Sequence, residues 1–156
     1  MQNKSTQEFD YIIRNIIENQ KVQEMKKYKQ HYETSTFDHC YMVSYYCYKV
    51  CKKLKLDYKS AARAGMLHDF FLYDWRIKNG RKGLHAFTHG KTACKNASEL
   101  FELSEKEKDM IIKHMWPVTP QFPKSKEGFI LTFIDKHCAL AEAIKVLKKN
   151  IHKMKI

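Results

Sequence analysis

Glycine and proline are scarce in this chain of 156 residues, which contains five glycines and three prolines. No repeat, linker or low-complexity segment interrupts it, and an apolar content of 44% argues against disorder. Long hydrophobic runs are missing too, since none approaches the roughly 18 residues that cross a bilayer. The N-terminal residues also lack the apolar stretch of a signal peptide. We therefore expect one domain, residues 1–156, in the cytoplasm and without a membrane span.

Paired cysteines are absent as well, because the five cysteines form no CxxC motif. An odd number of cysteines in a chain that is not exported predicts reduced, mostly buried thiols. Cys47 and Cys51 are four residues apart and share a helical face, a spacing that permits soft-metal binding. Further Cys or His residues at zinc-finger spacing are missing, which disfavours a thiolate metal site.

Acidic residues are few: the chain contains 17 Asp and Glu but 29 Lys and Arg, which gives a formal net charge of +12. Such a charge attracts anions, whether phosphorylated metabolites, nucleic acid or an acidic membrane surface. The basic residues are spread along the chain, so a solvated basic surface explains them equally well. Nucleic acid is therefore a possible partner but not the favoured one, and the sequence leaves the oligomeric state open.

Helical periodicity runs through nearly every segment, and no stretch alternates like a strand, which predicts an all-α protein. We expect a first helix from about Thr6 to Tyr28, which makes residues 1–30 an N-terminal packing helix. A second helix begins near Thr36 or Asp38. Asp57 is the predicted N-cap of a helix rich in Ala and Gly.

Turn-forming and basic residues dominate 76–90, which predicts the longest loop. The capping box Ser104–Glu107 opens a helix that stops at Trp116-Pro117. Three prolines mark a loop over 117–123, and a final helix is expected from about Ser125 to Asn150.

Polar residues stand on the apolar faces of five predicted helices. His39, for example, lies four residues before Val43, and His114 lies three after Ile111. One buried histidine is commonly satisfied by a single hydrogen bond, but several inward polar groups need pairing or a metal. The candidate ligands are His39, His68, Asp69, His89, His114 and Asp135. Four histidines with two carboxylates suit one or two divalent ions of Fe, Mn, Co, Ni or Zn.

The order H…HD…H…H…D of these residues resembles the HD superfamily of metal-dependent phosphohydrolases over about residues 36–142. The resemblance implies an all-α helical bundle of the HD type, with 36–142 as its metal-binding core. It implies that His39, His68, Asp69 and Asp135 hold one metal, and that Asp69, His89 and His114 hold a second. It further implies hydrolysis of a phosphoester or phosphoanhydride bond in a nucleotide or other small phosphorylated substrate.

Several basic residues near these ligands are candidates for substrate contact or proton transfer. Arg76, just past the His68-Asp69 doublet, is the first choice for a phosphate contact because Arg binds phosphate bidentately. Lys136 follows the last ligand, and Arg81 and Lys82 are further candidates. The predicted catalytic residues are Asp69, His68, His85, Arg76 and Lys136.

The role of His85 stays open between a third outer ligand, a proton donor and a loop residue. Some HD subfamilies place a lysine three residues after the doublet; Leu72 stands there in this chain, which disfavours the cyclic-dinucleotide phosphodiesterase branch. His31, His137 and His152 are interpreted as surface residues.

Two other functions fit the same pattern. A nucleic-acid-binding or regulatory HD module without turnover would explain the charge and the basic stretch 145–153. A di-iron HD oxygenase uses a similar ligand set for oxidative cleavage.

Overall fold

The fold is predominantly α-helical, as the sequence predicts. It is given by a computed structural model that describes residues 4–31, 33–78, 80 and 82–154. Within these ranges the α-helices are α1 (Lys4–Ile17), α2 (Gln20–Gln23), α3 (Thr36–Lys53), α4 (Tyr58–Leu67), α5 (His85–Leu100), α6 (Glu105–Lys113) and α7 (Lys126–Met154). A short 3₁₀ helix, Glu24–Lys27, follows α2, and the strands β1 (Lys29–His31) and β2 (Thr34–Ser35) pair in antiparallel fashion. In the described part of the chain, no helix combines the length and apolar character required to cross a membrane.

The N-terminal region departs from the predicted single helix over 6–28. The chain leaves the helical conformation after α1, and Asn19, with an extended backbone, caps α2 by accepting a hydrogen bond from the Lys21 amide at 3.0 Å. An Asn side chain readily accepts hydrogen bonds from nearby backbone amides in non-helical conformations, which explains the break. The small hairpin was also not predicted, because strands of three and two residues are too short to show alternation.

Helices α3 and α4 pack closely at the centre of the fold. A Cβ atom on Gly65 would lie 2.8 Å from the Cα atom of Ser44, so only glycine permits this separation. The Ser44 hydroxyl donates to the Ala62 carbonyl at 2.6 Å across the same contact. Asp57 caps α4 through the Ser60 amide, which confirms the predicted N-cap.

A second close contact joins α5 to the C-terminal end of α6. A Cβ atom on Gly90 would lie 2.8 Å from the Ile112 carbonyl oxygen.

The predicted loop over 76–90 is wrong at its end, because α5 already begins at His85. The capping box Ser104–Glu107 is confirmed, and all five cysteines are free and buried, as predicted. Arg81 and the side chains of His31 and His152 lie outside the described residues.

Gly65→Ala tests the close packing of α3 on α4. Alanine would gain up to about 1 kcal/mol of helix propensity. Overpacking against a backbone atom costs typically about 1–3 kcal/mol, and the Ser44 Cα atom cannot move aside as a flexible side chain could. We expect a net loss of about 1–2 kcal/mol in the free energy of unfolding, measured by urea denaturation. Lys59→Ala, at an exposed position of α4, is the control and should change stability little; equal stability of the two variants would contradict this packing.

Candidate metal centre

Five helices bring the six predicted ligands to one buried place. His39 comes from α3, His89 from α5 and Asp135 from α7. His68 and His114 are the C-cap residues of α4 and α6, and Asp69 follows His68 directly. All six side chains are buried. Three of the six ligands, His68, Asp69 and His114, therefore lie at helix ends. At these ends the backbone leaves the helix while the side chains still point into the core.

The cluster divides into two groups that share one carboxylate. His39, His68, Asp69 and Asp135 each offer a ligand atom, and these atoms lie within 4.8 Å of one another. Asp69, His89 and His114 form a second group that meets the same limit. The structure thus brings together the same two sets that the resemblance implies, with Asp69 between them.

Hydrogen bonds from the outer nitrogens orient the histidine rings. The Nδ1 atoms of His68, His89 and His114 lie 2.8, 2.7 and 2.7 Å from the carbonyl oxygens of Gly65, His85 and Ile111. A carbonyl oxygen only accepts, so each Nδ1 carries the proton and donates it. Each Nε2 atom therefore faces the cluster. This arrangement is the one that metal-binding histidines adopt.

His39 is held between two carboxylates. Its Nδ1 atom donates to Glu142 Oε1 at 3.0 Å, and its Nε2 atom lies 3.0 Å from Asp135 Oδ1. Burial alone would lower the pKa of His39, but the hydrogen bonds to Asp135 and Glu142 outweigh it and raise this pKa to about 10. Without a metal ion, His39 is a protonated imidazolium at neutral pH.

Two ligand atoms in the centre make no hydrogen bond within the described part of the chain. These are His68 Nε2 and Asp69 Oδ1, both buried. In addition, His89 Nε2 and His114 Nε2 are 2.9 Å apart. With both Nδ1 atoms protonated, the two Nε2 lone pairs would face each other unless a proton or a metal ion lies between them. The donor set therefore fits a divalent metal ion, which would satisfy all of these atoms.

The pKa values show how the cluster holds charge in the absence of metal. Burial opposes ionisation of Asp69, but His68 and His89 outweigh it and hold the pKa of Asp69 well below its usual range. Burial also opposes protonation of His89, whose pKa is nevertheless raised by Asp69. For His114, burial prevails and lowers the pKa.

Two polar residues that sequence reasoning missed support the ligands. Gln30, in β1, donates from Nε2 to Asp69 Oδ2, and its Oε1 atom accepts from the Thr36 hydroxyl at 3.4 Å. Glu142, in α7, orients His39. Glu142 lies seven residues after Asp135, two helical turns along the same face, and that spacing was an available signal. Nothing in the sequence marked Gln30.

A cavity of about 290 Å³ opens beside the cluster. Its lining consists of Gln30, Asp69, Trp75, His85, Ala86, His89, His114, Met115, Val118, Asp135, Lys136 and Ala139. His85 is half-buried there, with its ring stacked between Trp75 at 5.5 Å and His89 at 4.4 Å. Lys136 donates from Nζ to the His114 carbonyl at 3.1 Å. The cavity therefore combines ligand atoms, one lysine and an apolar wall.

Two of the predicted phosphate-binding residues lie elsewhere. Arg76 is exposed and pairs with Asp74 through two hydrogen bonds, of 2.8 and 2.6 Å, and does not contribute to the cavity lining. Lys82 is exposed, and the cavity lining does not include it either. His137 is exposed, in agreement with its interpretation as a surface residue.

Comparison of the chain with known protein families, with curated proteins and with solved structures finds no match. The geometry itself shows a buried His and Asp cluster that could hold a metal ion and is compatible with an HD-like site.

Metal binding should become tighter as the pH rises. A metal ion has to displace the Nε2 proton of His39, whose pKa is about 10, so this proton is present throughout the range from pH 6 to 8. The association constant for Mn²⁺ or Zn²⁺ should rise about tenfold per pH unit for each proton released. Titration calorimetry in buffers of different ionisation enthalpy measures both quantities. His39→Gln should lower the number of protons released, and an affinity independent of pH would contradict the assignment.

Proposed function

We propose that this chain is an HD-type metal-dependent phosphohydrolase. It would cleave a phosphoester or phosphoanhydride bond in a nucleotide or other small phosphorylated substrate. The observation that carries the proposal is the Asp69 carboxylate shared by two buried ligand groups, whose Oδ1 atom, like His68 Nε2, makes no hydrogen bond within the described residues. Two divalent ions held there would polarise the phosphoryl group and lower the pKa of an attacking water.

The two ligand groups define what each position would hold. Both combine imidazole nitrogen with carboxylate oxygen, the mixture that Fe, Mn, Co, Ni and Zn accept. Neither group of the described residues includes a cysteine, and burial raises the pKa of the Cys47 thiol well above its usual value, which disfavours its thiolate. The first position would use His39, His68, Asp69 and Asp135, and the second Asp69, His89 and His114.

Lys136 is the residue that we assign to the substrate's phosphate. It lines the cavity next to Asp135 and uses one N–H in its bond to the His114 carbonyl. An ammonium group has three donors, so two remain for phosphate oxygens. Burial lowers the pKa of Lys136, while Asp135 and Asp69 oppose that effect. Arg76 already uses its guanidinium on Asp74, so the contact that the sequence suggested for Arg76 falls to Lys136.

His85 is assigned as the proton donor to the leaving group. Neither ligand group of the described chain includes it, yet it lines the cavity and its ring lies against His89. The Tyr73 hydroxyl lies 3.2 Å from its Nδ1 atom and orients the ring. A histidine near a reacting group can transfer a proton close to neutral pH.

The cavity dimensions favour a small substrate. A volume of about 290 Å³ lies at the lower end for pockets that enclose an organic ligand, roughly 300–1,000 Å³. The apolar wall of Met115, Val118 and Ala139 would face the uncharged part of that substrate.

Asp69→Ala tests the shared carboxylate. Purified wild-type protein supplied with Mn²⁺ or Fe²⁺ should contain up to two ions per chain by elemental analysis. Asp69→Ala should lose metal from both positions and abolish hydrolysis in a phosphoester panel, whereas His114→Ala should lose one ion more readily than the other. His137→Ala, an exposed histidine of α7, is the control and should match wild type. Full metal content and activity in Asp69→Ala would refute the assignment, and oxygen uptake with reduced iron would indicate the oxygenase alternative.

Lys136→Ala separates phosphate binding from metal binding. Loss of a charge-assisted hydrogen bond costs roughly 1.5–3 kcal/mol, which corresponds to a fall in kcat/KM of about 10- to 150-fold. Metal content should not change, and Lys136→Arg should restore part of the activity. Arg76→Ala is the matched control, since a cation outside the cavity should alter kcat/KM by less than about twofold. A larger effect at Arg76 than at Lys136 would reverse these two assignments.

A further inference from the structure

Helix α7 carries a second apolar stripe on the side turned away from the core. Leu131, Asp135 and Cys138 are buried and define its inner face. Five large apolar residues of the same helix are exposed: Phe133, Leu140, Ile144, Leu147 and Ile151. At 3.6 residues per turn they fall within a sector of roughly 60° directly opposite the inner face. Burial of the inner face in the core therefore leaves this outer stripe uncovered in the described chain.

The spacing of the outer stripe is that of a coiled coil. From Phe133 onward the steps are seven, four, three and four residues. In heptad terms Leu140 and Leu147 occupy d positions, while Ile144 and Ile151 occupy a positions. Isoleucine at a with leucine at d favours two parallel helices.

We propose that the outer stripe of α7 binds α7 of a second copy of this chain, in a parallel, two-fold symmetric coiled coil. In such an isologous contact each stripe residue meets its own counterpart. The two domains would lie on opposite sides of the helix pair, because each stripe faces away from its own core. The metal cluster, on the inner face, would remain separate from the contact.

The residues beside the stripe favour a second helix over a membrane surface. The flanking e positions hold Ile134, Ala141 and Lys148, and the g positions hold Lys136, Ala143 and Asn150. In a parallel pair, Lys148 of one chain would face Ala143 of the other, so like charges do not meet. Helices that lie on acidic membranes carry Lys or Arg repeatedly along both edges of the apolar face, whereas here each edge carries a single lysine, Lys136 or Lys148, beside uncharged residues.

The exposed area of the stripe matches what a dimer requires. Leu140 and Leu147 are 61% and 59% exposed, and Ile144 and Ile151 are 44% and 45% exposed. An aromatic side chain presents about 150–250 Å² and Leu or Ile somewhat less, so five half-exposed ones offer roughly 400–500 Å² of apolar area per chain. A standard interface buries about 800 Å² per partner, of which roughly 450–520 Å² is apolar.

Light scattering and sedimentation equilibrium test the proposal on the full chain. The wild type should have twice the chain mass of 18.6 kDa at micromolar concentrations and dissociate on dilution. Leu147→Glu should be monomeric with unchanged helicity by circular dichroism. Leu54→Glu, at an exposed leucine beyond the end of α3, is the matched control and should remain dimeric. A wild type that is monomeric over the whole series, or a Leu147→Glu variant that remains dimeric, would overturn the proposal.

Cross-linking tests the orientation and includes the membrane alternative. In a parallel pair, Ile144→Cys should cross-link to its own counterpart on mild oxidation, and the buried native cysteines should not react. A dimer that fails to cross-link at this position would overturn the parallel arrangement. Vesicles containing phosphatidylserine are the second probe. A monomer that binds these vesicles, and loses that binding in Leu147→Glu, would assign the stripe to a membrane instead.

Discussion

The buried carboxylate of Asp69 is the constraint on which the rest of this structure depends. A carboxylate removed from water is very costly unless positive charge lies beside it. Here Gln30 donates to one oxygen, while the other lies 3.2 Å from His89 Nε2 and 3.5 Å from His114 Nε2. Protons on the histidines supply the compensating charge when no metal is bound. A divalent ion would supply it more completely, because it can satisfy several lone pairs at once.

Backbone geometry holds the ligands in this arrangement. Gly65 allows α4 to approach Ser44 of α3, and its carbonyl oxygen also accepts the Nδ1 proton of His68. Gly90 allows α5 to approach the end of α6, next to His89 and His114. Two of the five glycines in the chain thus allow helices to pack closely next to metal-ligand candidates. Ring orientation and helix packing are consequently set by the same residues, so a packing change would also move the metal ligands.

The helical class, several caps and the ligand cluster could be predicted because each depends on local pattern: apolar periodicity, Asp57 before a helix, polar residues on apolar faces. What could not be predicted depends on contacts between distant or competing groups. Gln30 reaches Asp69 from a strand too short to detect. Arg76 was expected at the substrate, but Asp74, two residues earlier, takes its guanidinium. Spacing along the chain shows which groups are near in sequence, and not which of them pair.

The distribution of charge bears on the choice between a small substrate and nucleic acid. The net charge of +12 implies attraction for anions in general. Several basic residues are paired away from the cavity, with Lys52 on Glu8, Arg63 on Glu107 and Lys149 on Glu33. Within the described residues, Lys136 is the lysine or arginine that lines the cavity. Tracking a nucleic-acid backbone needs a row of cations, so the single lysine beside the buried cluster supports the proposed small phosphorylated substrate over nucleic acid.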